Sequence, residues 1–139
     1  MFMNLESLHI LLADDDQAYC IMMQKALTTR GHNVTISHNG EDTITLLQKG
    51  TFDVVLLDYK MEGTNGINVL QWMYGKKMEI PVVLITAYGA DDINEEAFKW
   101  GAKEFFIKGE MDVVRLPIMA EQLFSRYCLR KQHTKNSSR

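Results

Sequence analysis

A set of acidic, hydroxyl and ammonium side chains lies at or just past the ends of four apolar segments of this chain. In chain order, these side chains belong to Asp14, Asp15, Asp16, Asp58, Thr86 and Lys108. Carboxylates that converge within a few ångströms repel one another strongly unless a cation joins them. The set offers oxygen ligands without His or Cys, which favours a hard divalent ion, and Mg²⁺ is the ion that we expect.

Such a site is equipped to accept a phosphoryl group. The metal ion and Lys108 would neutralise the equatorial oxygens while an aspartate oxygen attacks the phosphorus in line. We assign Asp58 as this nucleophile. Each residue alone has an ordinary structural explanation, because an Asp after an apolar run often caps a helix and a lone Lys is mostly a surface residue. The prediction therefore rests on the coincidence of these residues at four segment ends.

Five apolar segments predict the strands that must position these residues. They cover residues 8–13, 33–37, 52–58, 81–86 and 104–108. Three of them contain continuous apolar runs (ILLA, VVLL and VVLI), which are typical of strands that helices cover on both faces. We therefore expect a parallel sheet.

Five amphipathic segments alternate with the strands and predict helices. They cover residues 16–30, 41–49, 65–74, 91 or 92 to 100, and 112–130. The apolar positions expected to face inward on the first and fourth helices are Tyr19, Met22, Met23, Ala26, Leu27, Ile93, Ala97, Phe98 and Trp100. Pro117 falls just beyond the first turn of the fifth helix, where we expect a late start or a kink.

Strict alternation of strand and helix indicates an α/β fold, a doubly wound (βα)5 three-layer sandwich with right-handed crossovers. Open sheets of this kind bind ligands at the carboxyl ends of their strands, near the point where the strand order reverses. If the strand order is 2-1-3-4-5, the acids that follow the first and third strands converge there. Asp16 is the exception, because we expect it to cap the first helix.

The composition is that of one folded domain. The chain has 139 residues, of which 46% are hydrophobic and 24% charged. No apolar run approaches the roughly 18 residues of a membrane span, and the first residues lack the features of a secretion signal. We therefore expect a soluble, cytoplasmic protein. Cys20 and Cys128 lack metal-ligand spacing and are expected to be reduced thiols.

The charge is distributed unevenly along the chain. The net charge is -3, but residues 126–139 contain basic side chains and no acid. A basic tail could contact nucleic acid or anionic lipid, but the polar ending is more typical of a solvated helix end that runs into a linker. We divide the chain into a folded domain over residues 1–130 and a polar basic tail or linker over residues 131–139.

Four stretches in order carry a specific resemblance to a known family. They are ILLADDDQ at 10–17, DVVLLDYKMEGTNG at 53–66, VVLITAYG at 82–89 and GAKEFFIKG at 101–109. The sequence resembles the receiver domain of two-component response regulators, the family that includes the single-domain chemotaxis regulators. The resemblance covers about residues 7–130, and it implies a flavodoxin-like fold with five parallel strands in the order 2-1-3-4-5.

The resemblance also implies a role for each site residue. Asp58 would be the phosphoacceptor, Thr86 the switch hydroxyl, Phe105 the aromatic switch residue, and Lys108 the cation that holds the phosphoryl oxygens. The Mg²⁺ ligands would be Asp15, Asp58 and the backbone carbonyl of Lys60, with Asp14 as a direct or water-mediated ligand. Lys60 and Tyr88 would flank the path of the hydrolytic water, and a bulky Tyr88 is expected to slow self-dephosphorylation.

The partners are likewise implied by the resemblance. A histidine kinase or phosphotransfer protein would supply the phosphoryl group, and the output would be a downstream protein or a covalently attached domain. The switched face would comprise residues 91–100, 104–108 and 112–130, where Trp100 and Tyr127 are either binding anchors or core residues. A homodimer is compatible with this face. We expect no membrane contact, no direct nucleic acid binding by this segment, and a signalling role that is not that of an enzyme.

Two residues depart from the pattern of the family. Gly109 stands where the family usually has a cis proline after its lysine, and a cis bond without proline costs about 3 kcal/mol. Gly109 is therefore expected to take another route or to leave a looser loop. Glu62 replaces a common proline in the loop after the phosphoacceptor, where it either weakens phosphorylation or points to solvent, and we favour the second.

Three other functions were weighed against this one. A phosphatase of the haloacid-dehalogenase type would need a second Asp two residues after its nucleophile, but that position is Lys60. A flavin-binding protein would need a Ser/Thr/Gly phosphate loop where this chain has acids. The alternative that stays open is a receiver-like interaction module that works without phosphorylation.

Overall fold

The computed structural model describes residues 7–87 and 91–137, and the side chains within these ranges except those of Asp91 and residues 130–137. Five strands alternate with five helices. The strands are β1 (His9–Ala13), β2 (Asn33–Ser37), β3 (Val54–Asp58), β4 (Val82–Thr86) and β5 (Glu104–Ile107). The helices are α1 (Gln17–Thr29), α2 (Gly40–Lys49), α3 (Gly66–Gly75), α4 (Asp91–Lys99) and α5 (Asp112–Ser137).

All neighbouring strands are parallel, and the sheet order is β2-β1-β3-β4-β5. The residues of β3 and β4 are buried throughout, because helices cover the sheet on both faces. Side chains of α1 and α5 share one core cluster with alternate residues of the central strands, and side chains of α2, α3 and α4 share the other. The predicted doubly wound three-layer fold, including the order 2-1-3-4-5, is confirmed.

Several helix starts follow from local hydrogen bonds. The Asp16 carboxylate accepts the N–H of Tyr19 and so caps α1, as predicted. A reciprocal capping box between Asn65 and Asn68 begins α3. These caps fix the helix amino ends that lie near the carboxyl edge of the sheet.

Some expectations about the helices are wrong. Met22 and Phe98 were expected to face inward, but they are 45% and 51% exposed, because each lies beyond the edge of the buried stripe of its helix. Of the two expectations for Pro117, the late start is wrong and the kink stays a prediction: α5 is helical from Asp112, and the Met111 carbonyl accepts the N–H groups of Val114 and Arg115. Pro117 is buried within the helix, so the missing hydrogen bond is tolerated where packing holds the backbone.

The remaining differences lie at element ends and at the aromatic residues. Lys108 follows β5 rather than ending it, and the α5 backbone continues past residue 130 to Ser137. Trp100 and Tyr127 are half-buried, so neither is a fully buried core residue nor a fully exposed binding anchor.

The two cysteines are free thiols: Cys20 is buried and Cys128 is half-buried, as expected. In the ranges that the structure covers, we find no helix with the length and apolar character needed to cross a bilayer.

Candidate functional site

Three carboxylates meet at the carboxyl edge of the sheet because β1 and β3 are hydrogen-bonded neighbours. Ala13 lies opposite Leu57, so the residues that follow β1 adjoin the end of β3. One carboxylate oxygen each from Asp14, Asp15 and Asp58 lies within 4.8 Å of the other two. Asp14 and Asp58 are buried and Asp15 is exposed, so the cluster opens to solvent on one side.

The chain after Asp58 is held in place by α3. The N–H of Gly66 donates to the Tyr59 carbonyl at 2.8 Å. A Cβ atom on Gly66 would lie 2.5 Å from the Asp58 carbonyl oxygen, so the first residue of α3 must be glycine for this close approach. The buried start of α3 therefore fixes the backbone at Asp58.

Lys108 brings a positive charge to the carboxylates. Its Nζ lies 2.8 Å from Asp14 Oδ2 and 3.8 Å from Asp58 Oδ2. Its backbone N–H donates to the Thr86 carbonyl at 2.8 Å, which ties it to the end of β4. Burial by itself lowers the pKa of Lys108, but the ion pair with Asp14 and the charge of Asp58 raise this pKa above its usual value. Lys108 is therefore a stable cation within the site.

Asp58 carries a carboxyl whose pKa is strongly shifted by its surroundings. The pKa of Asp58 is raised to about 7: burial is the largest cause, repulsion by Asp14 adds to it, and the charge of Lys108 opposes it. A second cation beside this carboxyl would stabilise its charged form and so lower its pKa. The electrostatics of Asp58 thus favour the binding of a cation next to it.

The residues present fit a hard divalent cation. They supply oxygen donors from three carboxylates, and Asp14 Oδ2 is a buried atom whose contact among the described residues is the Lys108 ammonium. Mg²⁺ prefers such oxygen ligands and completes its octahedron with water, which the exposed side at Asp15 admits. Lys60, the expected carbonyl ligand, is exposed and lies in the loop that follows Asp58.

The two expected switch residues lie on the neighbouring strands β4 and β5. Thr86 is 4% exposed at the end of β4, and its backbone lies opposite Ile107 of β5. Phe105 is half-buried on β5 and packs against the core cluster of α2, α3 and α4. Tyr88, the other expected tuning residue, lies outside the described residues.

The two departures from the pattern have clear positions. Glu62 is exposed, as expected of an acid that points to solvent. The peptide bond between Lys108 and Gly109 is trans, since the described residues contain no cis peptide bond. Its N–H donates to the carboxylate of Asp112, at 3.1 Å from Oδ1 and 3.2 Å from Oδ2.

Two further site neighbours, Tyr19 and Asp112, were missed by sequence reasoning. The Tyr19 hydroxyl donates to Asp112 Oδ2 at 2.8 Å, and the Lys108 ammonium lies 4.4 Å from the centre of the Tyr19 ring. Burial, together with the negative charge of Asp112, raises the pKa of Tyr19, so the hydroxyl stays a donor. The absence of proline at 109 was the one sequence signal that pointed to an unusual arrangement here.

Known proteins similar to this chain are transcriptional and signalling regulators. The chain is 33% identical over 106 residues to the transcriptional regulatory protein ZraR of Escherichia coli K12, covering 76% of this chain and 24% of that protein. It is 29% identical over 133 residues to the uncharacterized transcriptional regulatory protein YkoG of Bacillus subtilis, covering 94% and 55%. The chain thus spans about a quarter of the length of ZraR.

Solved structures give the same fold. A CheY-like receiver domain protein from Methanospirillum hungatei has a TM-score of 0.83 at 18% identity and covers 90% of this chain and 99% of its own. The response regulator TrrA of Thermotoga maritima, solved in complex with Mg(2+)-BeF, has a TM-score of 0.74 at 26% identity and covers 83% and 97%. The family model of the response regulator receiver domain matches residues 10–118. This chain therefore belongs to the response regulator receiver domain family.

Proposed function

We propose that this receiver accepts a phosphoryl group on Asp58, with Mg²⁺, from the phosphohistidine of a histidine kinase or phosphotransfer protein. The observation that carries the proposal is the cluster of Asp14, Asp15 and Asp58 with the Lys108 ammonium 3.8 Å from Asp58. No role as an enzyme on other substrates is proposed. The TrrA complex with Mg(2+)-BeF supports the metal by family membership.

The residues of the chain divide the transfer between them. The P–N bond of phosphohistidine breaks with its electron pair on the imidazole, while an Asp58 oxygen forms the new P–O bond. Lys108 neutralises phosphoryl oxygens as charge shifts toward Asp58. Asp14, Asp15, Asp58 and the carbonyl of Lys60 would hold Mg²⁺, which would supply further positive charge for those oxygens.

Phosphorylation would then switch one face of the domain. The Thr86 hydroxyl would bond the phosphoryl group, and Phe105 would turn into the space that Thr86 leaves. The face of α4, β5 and α5 would report the change, and it exposes apolar side chains at Phe98, Ile107 and Val114. A downstream protein, an attached output domain or a second copy would bind there.

The relatives support an output domain attached to this receiver. ZraR and YkoG are transcriptional regulatory proteins longer than the matched segment, which supports an output domain joined through residues 131–139. We propose no nucleic acid or membrane contact for the receiver itself, and a cytoplasmic location where its kinase partner would meet it.

Intact-protein mass with Mg²⁺ and acetyl phosphate tests the proposal. The wild type should gain one phosphoryl group, and the gain should vanish in Asp58→Asn and after chelation of Mg²⁺. Glu41→Gln, at an exposed acid on α2, is the matched control and should gain the group as the wild type does. No gain in the wild type, together with no Mg²⁺ binding, would favour the phosphorylation-independent interaction module instead.

The lifetime of the phosphorylated state should depend on residue 88. A bulky aromatic side chain hinders the water that attacks the phosphoryl group, so Tyr88→Glu should speed self-dephosphorylation. The measurement is the decay of the phosphorylated mass after removal of the donor. Equal decay rates of Tyr88→Glu and the wild type would contradict this role.

A further inference from the structure

The loop after Lys108 is anchored by a hydrogen bond that a proline would forbid. Proline has no N–H, whereas the Gly109 N–H donates to both carboxylate oxygens of Asp112. Asp112 is 4% exposed, and it begins α5, the helix that packs against α1. The residue directly after Lys108 is therefore tied to a buried carboxylate.

The same carboxylate fixes the aromatic ring beneath Lys108. The Tyr19 hydroxyl donates to Asp112 Oδ2 at 2.8 Å, and Tyr19 is 9% exposed. This bond restricts the ring, whose centre lies 4.4 Å from the Lys108 ammonium. Ring and ammonium attract each other by a cation–π interaction, which strengthens when both are shielded from water.

We propose that Asp112 and Tyr19 are positioning residues that hold the Lys108 ammonium toward Asp58, through its backbone at Gly109 and through its side chain at the Tyr19 ring. The proposal rests on the proposed phosphoryl transfer to Asp58. Neither residue touches the phosphoryl group, so both act through Lys108.

The geometry explains why Lys108 needs such support. Its flexible stem carries a point charge that can turn in many directions, and the ammonium lies 2.8 Å from Asp14 but 3.8 Å from Asp58. The Tyr19 ring contacts the ammonium from another side and restricts the directions that it can take. Transfer rates depend steeply on such placement, because the charge must lie where the phosphoryl oxygens develop theirs.

The test is a set of phosphorylation rates with acetyl phosphate and Mg²⁺, measured by intact mass. Tyr19→Leu, which removes the ring, should lower the rate constant about fivefold. Asp112→Ala should lower it about tenfold, and Asp112→Asn, which keeps an acceptor oxygen, should restore most of the loss. Tyr74→Leu, at an exposed tyrosine on α3, is the matched control and should leave the rate unchanged.

A double-mutant cycle separates positioning from a structural role. In a Lys108→Ala background, Tyr19→Leu and Asp112→Ala should change the rate by less than about twofold, since there is no ammonium left to position. Losses that persist undiminished in that background would overturn the proposal, and so would single variants with the wild-type rate. If Asp112→Ala does not fold, the Tyr19→Leu cycle decides alone. A wild type that gains no phosphoryl group contradicts the proposed function itself, which is a different failure.

Discussion

Replacing Asp58 with Asn should stabilise the metal-free protein at neutral pH, by about 2–4 kcal/mol in the free energy of unfolding. The charged form of Asp58 is costly in the folded state because the carboxyl is buried and faces Asp14, and its pKa is raised to about 7. Each pKa unit corresponds to about 1.4 kcal/mol of stability. Asn has the same shape without the charge, so it removes this cost.

The difference in the free energy of unfolding between Asp58→Asn and the wild type should increase as the pH rises. In the unfolded chain Asp58 loses its proton near pH 4, whereas in the folded protein it keeps the proton up to about pH 7. Between these values the folded state binds more protons than the unfolded state, so the stability of the wild type falls as the pH rises. Below about pH 4, Asp58 is protonated in both states, and the wild type and Asp58→Asn should unfold with similar free energies.

Denaturant unfolding of both proteins from pH 4 to pH 8, with chelator present, measures this difference in the free energy of unfolding. Glu62→Gln is the matched control, because it removes an exposed acid from the neighbouring loop and should show the same change of unfolding free energy with pH as the wild type. Mg²⁺ should reduce the difference between Asp58→Asn and the wild type, since it stabilises the wild-type carboxylate. A constant difference between wild type and Asp58→Asn at all pH values would contradict the assigned burial and charge of Asp58.

The fold and the centre of the site could be predicted because they depend on local patterns. Continuous apolar runs identified β1, β3 and β4, and the parallel order then brings the residues after β1 to the end of β3. The meeting of Asp14, Asp15 and Asp58 follows from this topology. The sequence contained the information because strand ends are marked by the change from apolar to charged residues.

The parts that escaped prediction depend on contacts between distant elements. Tyr19 has the spacing of an ordinary core residue on α1, and nothing near it in sequence shows that its hydroxyl reaches Asp112 on α5. The exposed fraction of Phe98 depends on how α4 is rotated against the sheet, which the pattern of one short helix does not fix. Arg30 and His32 are a third case, since they lie between α1 and β2 and bind Glu121, which is far along the chain on α5.

Glu121→Ala should destabilise the fold by about 3 kcal/mol, because Glu121 on α5 accepts hydrogen bonds from Arg30 at the end of α1 and from the buried His32 that precedes β2. Its carboxylate accepts two bonds from Arg30, at 2.6 and 2.7 Å, and one from His32 Nε2 at 2.7 Å. The Leu8 N–H donates to His32 Nδ1, so the ring proton resides on Nε2 and points at Glu121. Without Glu121, this N–H, on a side chain 1% exposed, loses its acceptor.

Chemical unfolding of Glu121→Ala, Glu121→Gln and Glu104→Ala measures this contribution. Glu104 on β5 pairs with Arg126, which lies on α5 as Glu121 does, but that pair is largely exposed, so Glu104→Ala should cost less than about 1 kcal/mol.

The Arg30 hydrogen bonds lower the pKa of Glu121 against the opposing effect of burial, and the His32 bond lowers it further. A lowered folded-state pKa adds stability above the unfolded pKa that is lost as the pH falls through the folded value. The wild type should therefore lose its advantage over Glu121→Gln in acid, and equal costs for Glu121→Ala and Glu104→Ala would contradict a buried role for Glu121.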